Sequence, residues 1–229
     1  MRLDQESLSR SAPALVILCT RPRLAPAKSR ALPDAGAQAT FDLNQALLAC
    51  AIEDAECWNG PVALALALAS DLSWAGSVAR RDWSIVGQAG GNAGERINTV
   101  DHLLRRHGAR TLVFIGTDAP AHTEADYALA RAALESADVA MTTSTRGGVT
   151  LMAARRPWPD LATLAWNTNR LVAELAYHCE REGLRVGKLP RRHQVQGLAD
   201  CARIATELAS DARPKRQALV AVAQRLLEQ

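Results

Sequence analysis

Two patterns alternate along the chain. Short unbroken apolar runs are separated by longer stretches whose apolar residues recur three or four apart. "ALVILCT" (14–20) and "TLVFIGT" (111–117) are of the first kind and predict strands buried on both faces. "VALALA" (62–67) is a strand by its place in the series, although its Ala and Leu would equally suit a helix, and "WSIVGQ" (83–88) and "LRVGKLP" (184–190) are shorter strands. "DVAMTTST" and "GVTLMAA" are two extended runs around Arg146-Gly147-Gly148. Helical spacing runs over 38–58, where "NGP" stops it, and over 92–108, where Gly108 supplies the left-handed stop. A further helix opens after Thr123, whose partner three residues on, Asp126, makes a capping box with Asp in place of the usual Glu. Helices are also predicted over 169–183, 198–210 and 214–228.

Strands alternating with helices predict an α/β fold, a mostly parallel central sheet with helices on both faces. Ligands of such sheets bind beyond the carboxyl ends of the strands. Asp118 is expected at such an end, one acid closing an oily strand. The segment 21–38 is a long loop after the first strand, and loops of that length in a compact domain are usually functional or disordered.

Composition narrows the classes. A chain of 229 residues fits one sizeable domain, with a polar, disordered N-terminus over 1–12 and a C-terminal helix over 212–229. Hydrophobic residues make up 48% and aromatics only 4%, so aliphatic side chains must fill the core. The net charge of +3 is spread out, which argues against a nucleic-acid polymer as partner. Five cysteines without a C-x-x-C predict reduced, mostly buried thiols and a cytoplasmic location. The opening "MRLDQESLSRSAP" is too polar for a signal peptide, and the longest apolar run, "PVALALALA", is too short to span a bilayer.

Four stretches carry candidate chemistry, each beside a plainer alternative. In "TRPRLAPAKSRAL", Lys28 and Arg30 could grip phosphates, lysine as a point charge and arginine as a fork. No glycine precedes "KS" at Walker spacing, and a solvated loop would look the same from composition. In "VGQAGGNAGER", the glycines let backbone amides approach an anion at a helix N-terminus, or simply serve a turn. In "GTDAP", the Asp118 carboxylate could hold a hard divalent cation against a diphosphate, or cap a turn before proline. His122 could assist it, although an exposed loop histidine is the simpler expectation. In "TSTRGGVTLMA", Gly147 and Gly148 allow close approach of a ligand such as a sugar, or form a hairpin turn. Trp166, in "LAWNTNR", could stack on a ring or cap the core. The chain lacks H-E-x-x-H and G-x-S-x-G, which sets aside zinc proteases and serine hydrolases.

Taken in order, these pieces resemble a bacterial GT-A-like family whose members are named nucleotide-diphospho-sugar transferases or selenodomain-associated transferases. That family is distantly similar to the molybdenum-cofactor and phospholactate guanylyltransferases. Its K-x-P-x-P-G-x-x-K-T-R-L corresponds to "TRPRLAPAKSRA", with Pro22, Lys28 and Arg30 kept. Its Q-x-G-D-L-G-E-R corresponds to "QAGGNAGER", with Gln88, Gly91, Gly94, Glu95 and Arg96 kept. "IGTDAP", "RGGVTLM" and "WNT" stand for its I-G-S-D-x-P, D-G-G-Y and W-S-T, and the match covers about residues 14 to 205. The resemblance implies a GT-A fold and a nucleotide between the N-terminal loop and the glycine-rich loop. It implies Mg²⁺ or Mn²⁺ on a diphosphate held by Asp118, with Arg146, Gly147, Gly148 and Trp166 on the substrate side. The departures are specific. Carboxylates of the pattern are replaced by Asn92, Arg146, Gln194 and Gln196, and its Tyr by Val149.

The leading expectation is metal-assisted transfer of a glycosyl or related group from a nucleotide-diphospho donor. Nucleotidyl transfer from a nucleoside triphosphate and a catalytically degenerate nucleotide-binding or regulatory protein are the alternatives. The partners implied are a nucleotide or nucleotide-sugar and an acceptor that the sequence does not identify, with a homodimer left open.

Overall fold

The structure, a computed structural model, describes the chain except residues 25–35, 146, 167 and 229. Lys28, Arg30 and Arg146 therefore lie outside the described residues. A helical turn, α1 (Gln5–Leu8), precedes β1 (Ala14–Cys19) and α2 (Gly36–Glu56). Then come β2 (Val62–Leu66), a 3-10 turn (Ala69–Asp71), α3 (Leu72–Val78) and β3 (Ser84–Gly87). They are followed by α4 (Ala93–Arg106), β4 (Leu112–Gly116), α5 (Glu124–Ser136), β5 (Val139–Ser144) and β6 (Val149–Ala154). The chain ends with α6 (Leu171–Arg181), β7 (Val186–Arg192), α7 (Leu198–Glu207) and α8 (Pro214–Leu227). No described helix is long and apolar enough to cross a membrane.

The strands form one sheet in the order β3-β2-β1-β4-β6-β5-β7. Every neighbouring pair is parallel except the two that involve β6, which runs antiparallel between β4 and β5. The expected mostly parallel α/β sheet is therefore present. The reversal of β6 has a consequence for function: its first residues, not its last, reach the edge where the parallel strands end.

The apolar runs are continuous because helices cover both faces. Ala14 and Val16 of β1 face a cluster with Ile97, Val100 and Leu104 of α4 and Leu175 of α6. Leu15 and Ile17 face another with Leu48, Ala51 and Ala55 of α2 and Tyr127, Ala130 and Leu134 of α5. The strand side chains alternate between these two layers. Helix α2 is buried on two sides, since its Leu43, Leu47 and Cys50 pack instead against Cys201 and Ile204 of α7, Leu208 just after it, and Leu219 and Ala223 of α8. At one sheet edge, β7 carries Lys188, Pro190 and Arg191, residues that discourage another strand from adding there.

Two expectations change. The polar opening is not a disordered N-terminus: Arg2 exchanges backbone hydrogen bonds with Ile85 of β3, and Asp4 caps α1 by accepting from the Ser7 amide. Leu8, fully enclosed in the core, is the apolar anchor among those polar residues. Residues 69–78, to which the apolar pattern assigns no element, fold as the 3-10 turn and α3. Four of the five thiols are buried and Cys57 is exposed, with no disulfide among the described residues.

The C-terminal helix is tied to the rest by a buried ionic cluster. Arg216 is 0% exposed. It donates to both carboxylate oxygens of Asp54 (2.6 and 2.7 Å), to Glu53 Oε2 (2.8 Å) and to the carbonyls of Cys50 (2.6 Å) and Pro120 (3.1 Å). Arg213 donates to Asp54 (2.9 Å) and to the His122 carbonyl (2.9 Å), and Tyr127 donates to Asp54 at 2.8 Å. Burial pushes the Asp54 carboxyl up, opposed by the Arg216 charge and its hydrogen bonds. Removing one partner of such a cluster strands the other charges in a dry interior. Arg216→Ala is expected to cost about 3–5 kcal/mol in chemical denaturation, and Arg216→Lys, which lacks the planar fork, to recover only a small part of it.

Candidate functional site

A cavity of about 760 Å³ opens at the carboxyl ends of β1 and β4. Its floor comes from Phe114 to Asp118, its walls from Ala93 and Ile97 of α4, the start of β6 from Gly148 to Met152, Trp166 and Thr168 to Asn169, and Gln194 to Gln196. Asn44 and Leu47 of α2 complete it. Among these lining residues Asp118 is the only charged side chain.

Asp118 sits two residues beyond β4 because the apolar strand ends at Gly116 and the chain must turn into the loop leading to α5. That loop is held by its carbonyls. The Val195 amide donates to the Asp118 carbonyl (2.7 Å), Arg216 to that of Pro120 and Arg213 to that of His122. The Asp118 carboxylate accepts from Gln194 Nε2 at 2.6 Å, and Gln194 Oε1 accepts from Gln196 Nε2 at 2.9 Å. Close packing pushes the Asp118 carboxyl above its ordinary value, with the Gln194 hydrogen bond pulling the other way. Two glycines make room for this group. A Cβ on Gly116 would stand 2.6 Å from Asp118 Oδ1, and one on Gly148 would stand 3.0 Å from Gln194 Oε1.

The glycine-rich stretch is ordered by its own side chains. Asn92 and Glu95 form a reciprocal capping box at the start of α4. Asn92 also donates its amide N–H to the Ala162 carbonyl at 2.7 Å. A carboxylate could not make that bond, which accounts for Asn at a position where the resemblance has Asp. Glu95 accepts from the Asn92 amide at 2.6 Å, and Arg96 donates to the Gly91 carbonyl at 3.1 Å. Both therefore shape the loop itself. Gly91 takes a φ of +93°, and a Cβ there would meet the Glu95 carboxylate. Gly94 answers to close approach: a Cβ would lie 2.0 Å from the Leu161 carbonyl oxygen and 2.7 Å from Trp166 Nε1. Trp166 donates to that same carbonyl at 2.9 Å. It packs in the wall beside α4 while still lining the cavity.

Asp118, Gly148 and Trp166 thus meet at one cavity. Gly147, with φ +92°, lies in the β5–β6 turn, where a Cβ would stand 2.7 Å from the Asn169 Cα. Gly91, Gly94, Glu95 and Arg96 stand at the α4 end of the site and are not part of the cavity wall. His122 is not an exposed loop residue: it is 1% exposed and stacks at a tilt near Tyr127. The loop folds inward because Arg213 and Arg216 hold it from below. Sequence reasoning missed Asn44, Thr117, Thr150, Thr168 and Asn169 as lining groups. Asn44 carried a signal, as a polar residue between Leu43 and Leu47 of an otherwise apolar helix face. It also missed Asp71, a second acid after an apolar strand, which is buried and paired with Arg23.

The donor set was expected to hold Mg²⁺ or Mn²⁺ at Asp118. Among the described residues no three His, Cys, Asp or Glu side chains converge. Asp118 has amide donors, not further carboxylates, beside it. The described side chains do not by themselves form a cage for a divalent cation; Asp118 is the one carboxylate among the cavity's lining residues.

Arrangement and topology define the class: a nucleotide-diphospho-sugar transferase (GT-A-like) fold with its cavity at the carboxyl edge. Residues 48–168 match the family described as "Uncharacterized protein conserved in bacteria (DUF2064)", and the chain belongs to that family. The structure is similar to that of a "putative nucleotide-diphospho-sugar transferase" from Desulfovibrio desulfuricans G20. The TM-score is 0.80 at 15% identity, covering 93% of this chain and 97% of that one. It is also similar to a cytidylyltransferase from Leptospira borgpetersenii (TM-score 0.55, 11% identity, 94% and 93% covered). Rv0371c from Mycobacterium tuberculosis H37Rv is a third similar structure (TM-score 0.51, 19% identity, 85% and 98% covered). No protein with curated annotation matches the chain.

Two predictions follow from the geometry. Gly94→Ala should raise helix propensity yet destabilise the protein by about 1–3 kcal/mol in denaturant titration, because the new methyl meets the Leu161 carbonyl. Burial holds the His122 ring neutral and pulls its pKa from 6.5 down to about 4, against the opposing charge of Asp126. The unfolded chain takes up this proton near pH 6.5 and the folded one only near 4, so stability falls as pH falls through that window, by about 3 kcal/mol in total. Unfolding midpoints measured from pH 7 to pH 4 should show a smaller acid-side loss in His122→Leu than in the wild type.

Proposed function

We propose that this protein transfers a glycosyl or related group from a nucleotide-diphospho donor to an acceptor hydroxyl. The observation that carries this reading is the cavity lining: one carboxylate, Asp118, with the amides and hydroxyls of Asn44, Thr117, Thr150, Asn169 and Gln194, set among apolar side chains and the Trp166 ring. Such a surface suits a group rich in hydroxyls, which both donate and accept hydrogen bonds. It suits a diphosphate poorly, because no described lining side chain is positive. The diphosphate is therefore assigned to the mouth of the site, toward the N-terminus of α4, where the helix dipole favours an anion. Lys28 and Arg30 are assigned there on the sequence resemblance and would stabilise the charge that develops as the nucleoside diphosphate leaves. Asp118 accepts a hydrogen bond from a substrate hydroxyl and fixes its orientation, and Gly148 lets that group approach the start of β6.

Calorimetric titration with UDP-, GDP- and CDP-sugars tests this reading. At least one should bind, and Asp118→Asn should weaken that binding about 10- to 100-fold, the weight of a hydrogen bond to a charged group. If none binds, the proposal is wrong. Release of pyrophosphate from a nucleoside triphosphate, without release of a nucleoside diphosphate from any sugar donor, would replace it with nucleotidyl transfer.

A further inference from the structure

The disagreement between Asp118 and the metal expected there leads to a more specific conclusion. We infer that this site engages its ligand without a resident divalent cation, the amides of Gln194 and Gln196 holding Asp118 by hydrogen bonding in the place cation ligands would occupy. The arrangement is directional. Gln196 Nε2 donates to Gln194 Oε1, which leaves Gln194 Nε2 to donate to Asp118 Oδ2. A cation bound at Asp118 would face an N–H of Gln194 where it needs an oxygen lone pair. Turning the Gln194 amide over would present its oxygen to the cation only if the Gln196 amide turned with it, so that its own oxygen accepts from Gln194.

The segment carrying these amides is held residue by residue. Arg192 forks onto Asp126 (2.5 and 3.0 Å), and His193 contacts Glu207 (2.7 Å). The Val195 amide is fastened to the Asp118 carbonyl, and the Gln196 amide donates to Asp200 Oδ2 at 2.9 Å. Gly148 leaves the space in which Gln194 Oε1 sits, since a Cβ there would stand 3.0 Å from it. Charge points the same way. The cavity wall presents one carboxylate, and the packing around it disfavours even that charge. A bound dication would be left mostly uncompensated by the protein.

This conclusion deepens the proposed function, and its test separates the two. The first measurement needs no nucleotide: Mn²⁺ is titrated into the full chain and followed by electron paramagnetic resonance. Wild type should show no site that Asp118→Asn removes. Gln194→Asp/Gln196→Asp should gain a site at least about ten-fold tighter than any wild-type binding, which Asp118→Asn on that background should abolish. A wild-type Mn²⁺ site abolished by Asp118→Asn would overturn the inference, whether or not the double variant folds. The second measurement repeats the nucleotide-sugar titration in EDTA and in Mn²⁺. Affinity should agree within about two-fold. A large loss in EDTA overturns the inference and leaves the transferase reading standing. Absence of nucleotide-sugar binding in both buffers sinks the transferase reading, while the Mn²⁺ titration still decides this one.

Discussion

The guanidinium of Arg216 is enclosed between α2 and α8, and the placement of the candidate site rests on it. All three of its nitrogens donate, to Asp54, Glu53 and the Cys50 carbonyl on α2 and to the Pro120 carbonyl beyond β4. A charge this deep is tolerable only because carboxylates and oriented carbonyls surround it. The same bonds fasten the loop that starts at Asp118. Arg213 adds a grip two residues further on, at the His122 carbonyl. The C-terminal helix thus acts as a clamp on the site from behind, although none of its residues lines the cavity.

In front of the clamp the geometry is governed by close approach. Gly94 lets α4 meet the 161–166 turn, Gly116 leaves space for the Asp118 carboxylate, and Gly148 leaves space for Gln194. Only Gly91 and Gly147 of the site glycines are needed for left-handed backbone. The glycine-rich stretch therefore does two jobs, turning at Gly91 and packing at Gly94. Its polar neighbours Asn92, Glu95 and Arg96 spend their hydrogen bonds on the loop. The ligand-facing surface is left to amides, hydroxyls, one acid and the apolar side chains between them, a surface with a different chemistry from the phosphate-gripping loop that the basic N-terminal segment suggests.

Much of the fold was legible. β1 and β4 carry unbroken apolar runs because both their faces are covered, and that burial shows directly in composition. The capping box at Thr123 and Asp126 and the stop at Gly108 are local, so short-range chemistry reveals them. Helix α3 was not legible, since its seven residues are too few to show a period. The N-terminal turn escaped because Leu8 and Leu3 anchor it to distant strands. Among the site residues, Asp118, Gly148 and Trp166 were found and meet at one cavity. Thr150 and Asn169 were not, because nothing in their local spacing distinguishes a cavity wall from any other polar surface; Asn44 was missed although it interrupts an apolar helix face.

The sequence by itself determined the alternating elements, the two-sided burial of the central strands and the presence of one acid at the end of β4. These depend on the period and polarity of neighbouring residues, which a linear text records. Only the tertiary structure decided what that acid faces. Gln194 lies 76 positions from Asp118 and reaches it because β7 delivers the 192–196 segment to the carboxyl edge. Whether an acid meets a cation or an amide is set by such long-range placement. Hydrogen bonding and Coulomb attraction act over a few ångströms of space and are indifferent to distance along the chain.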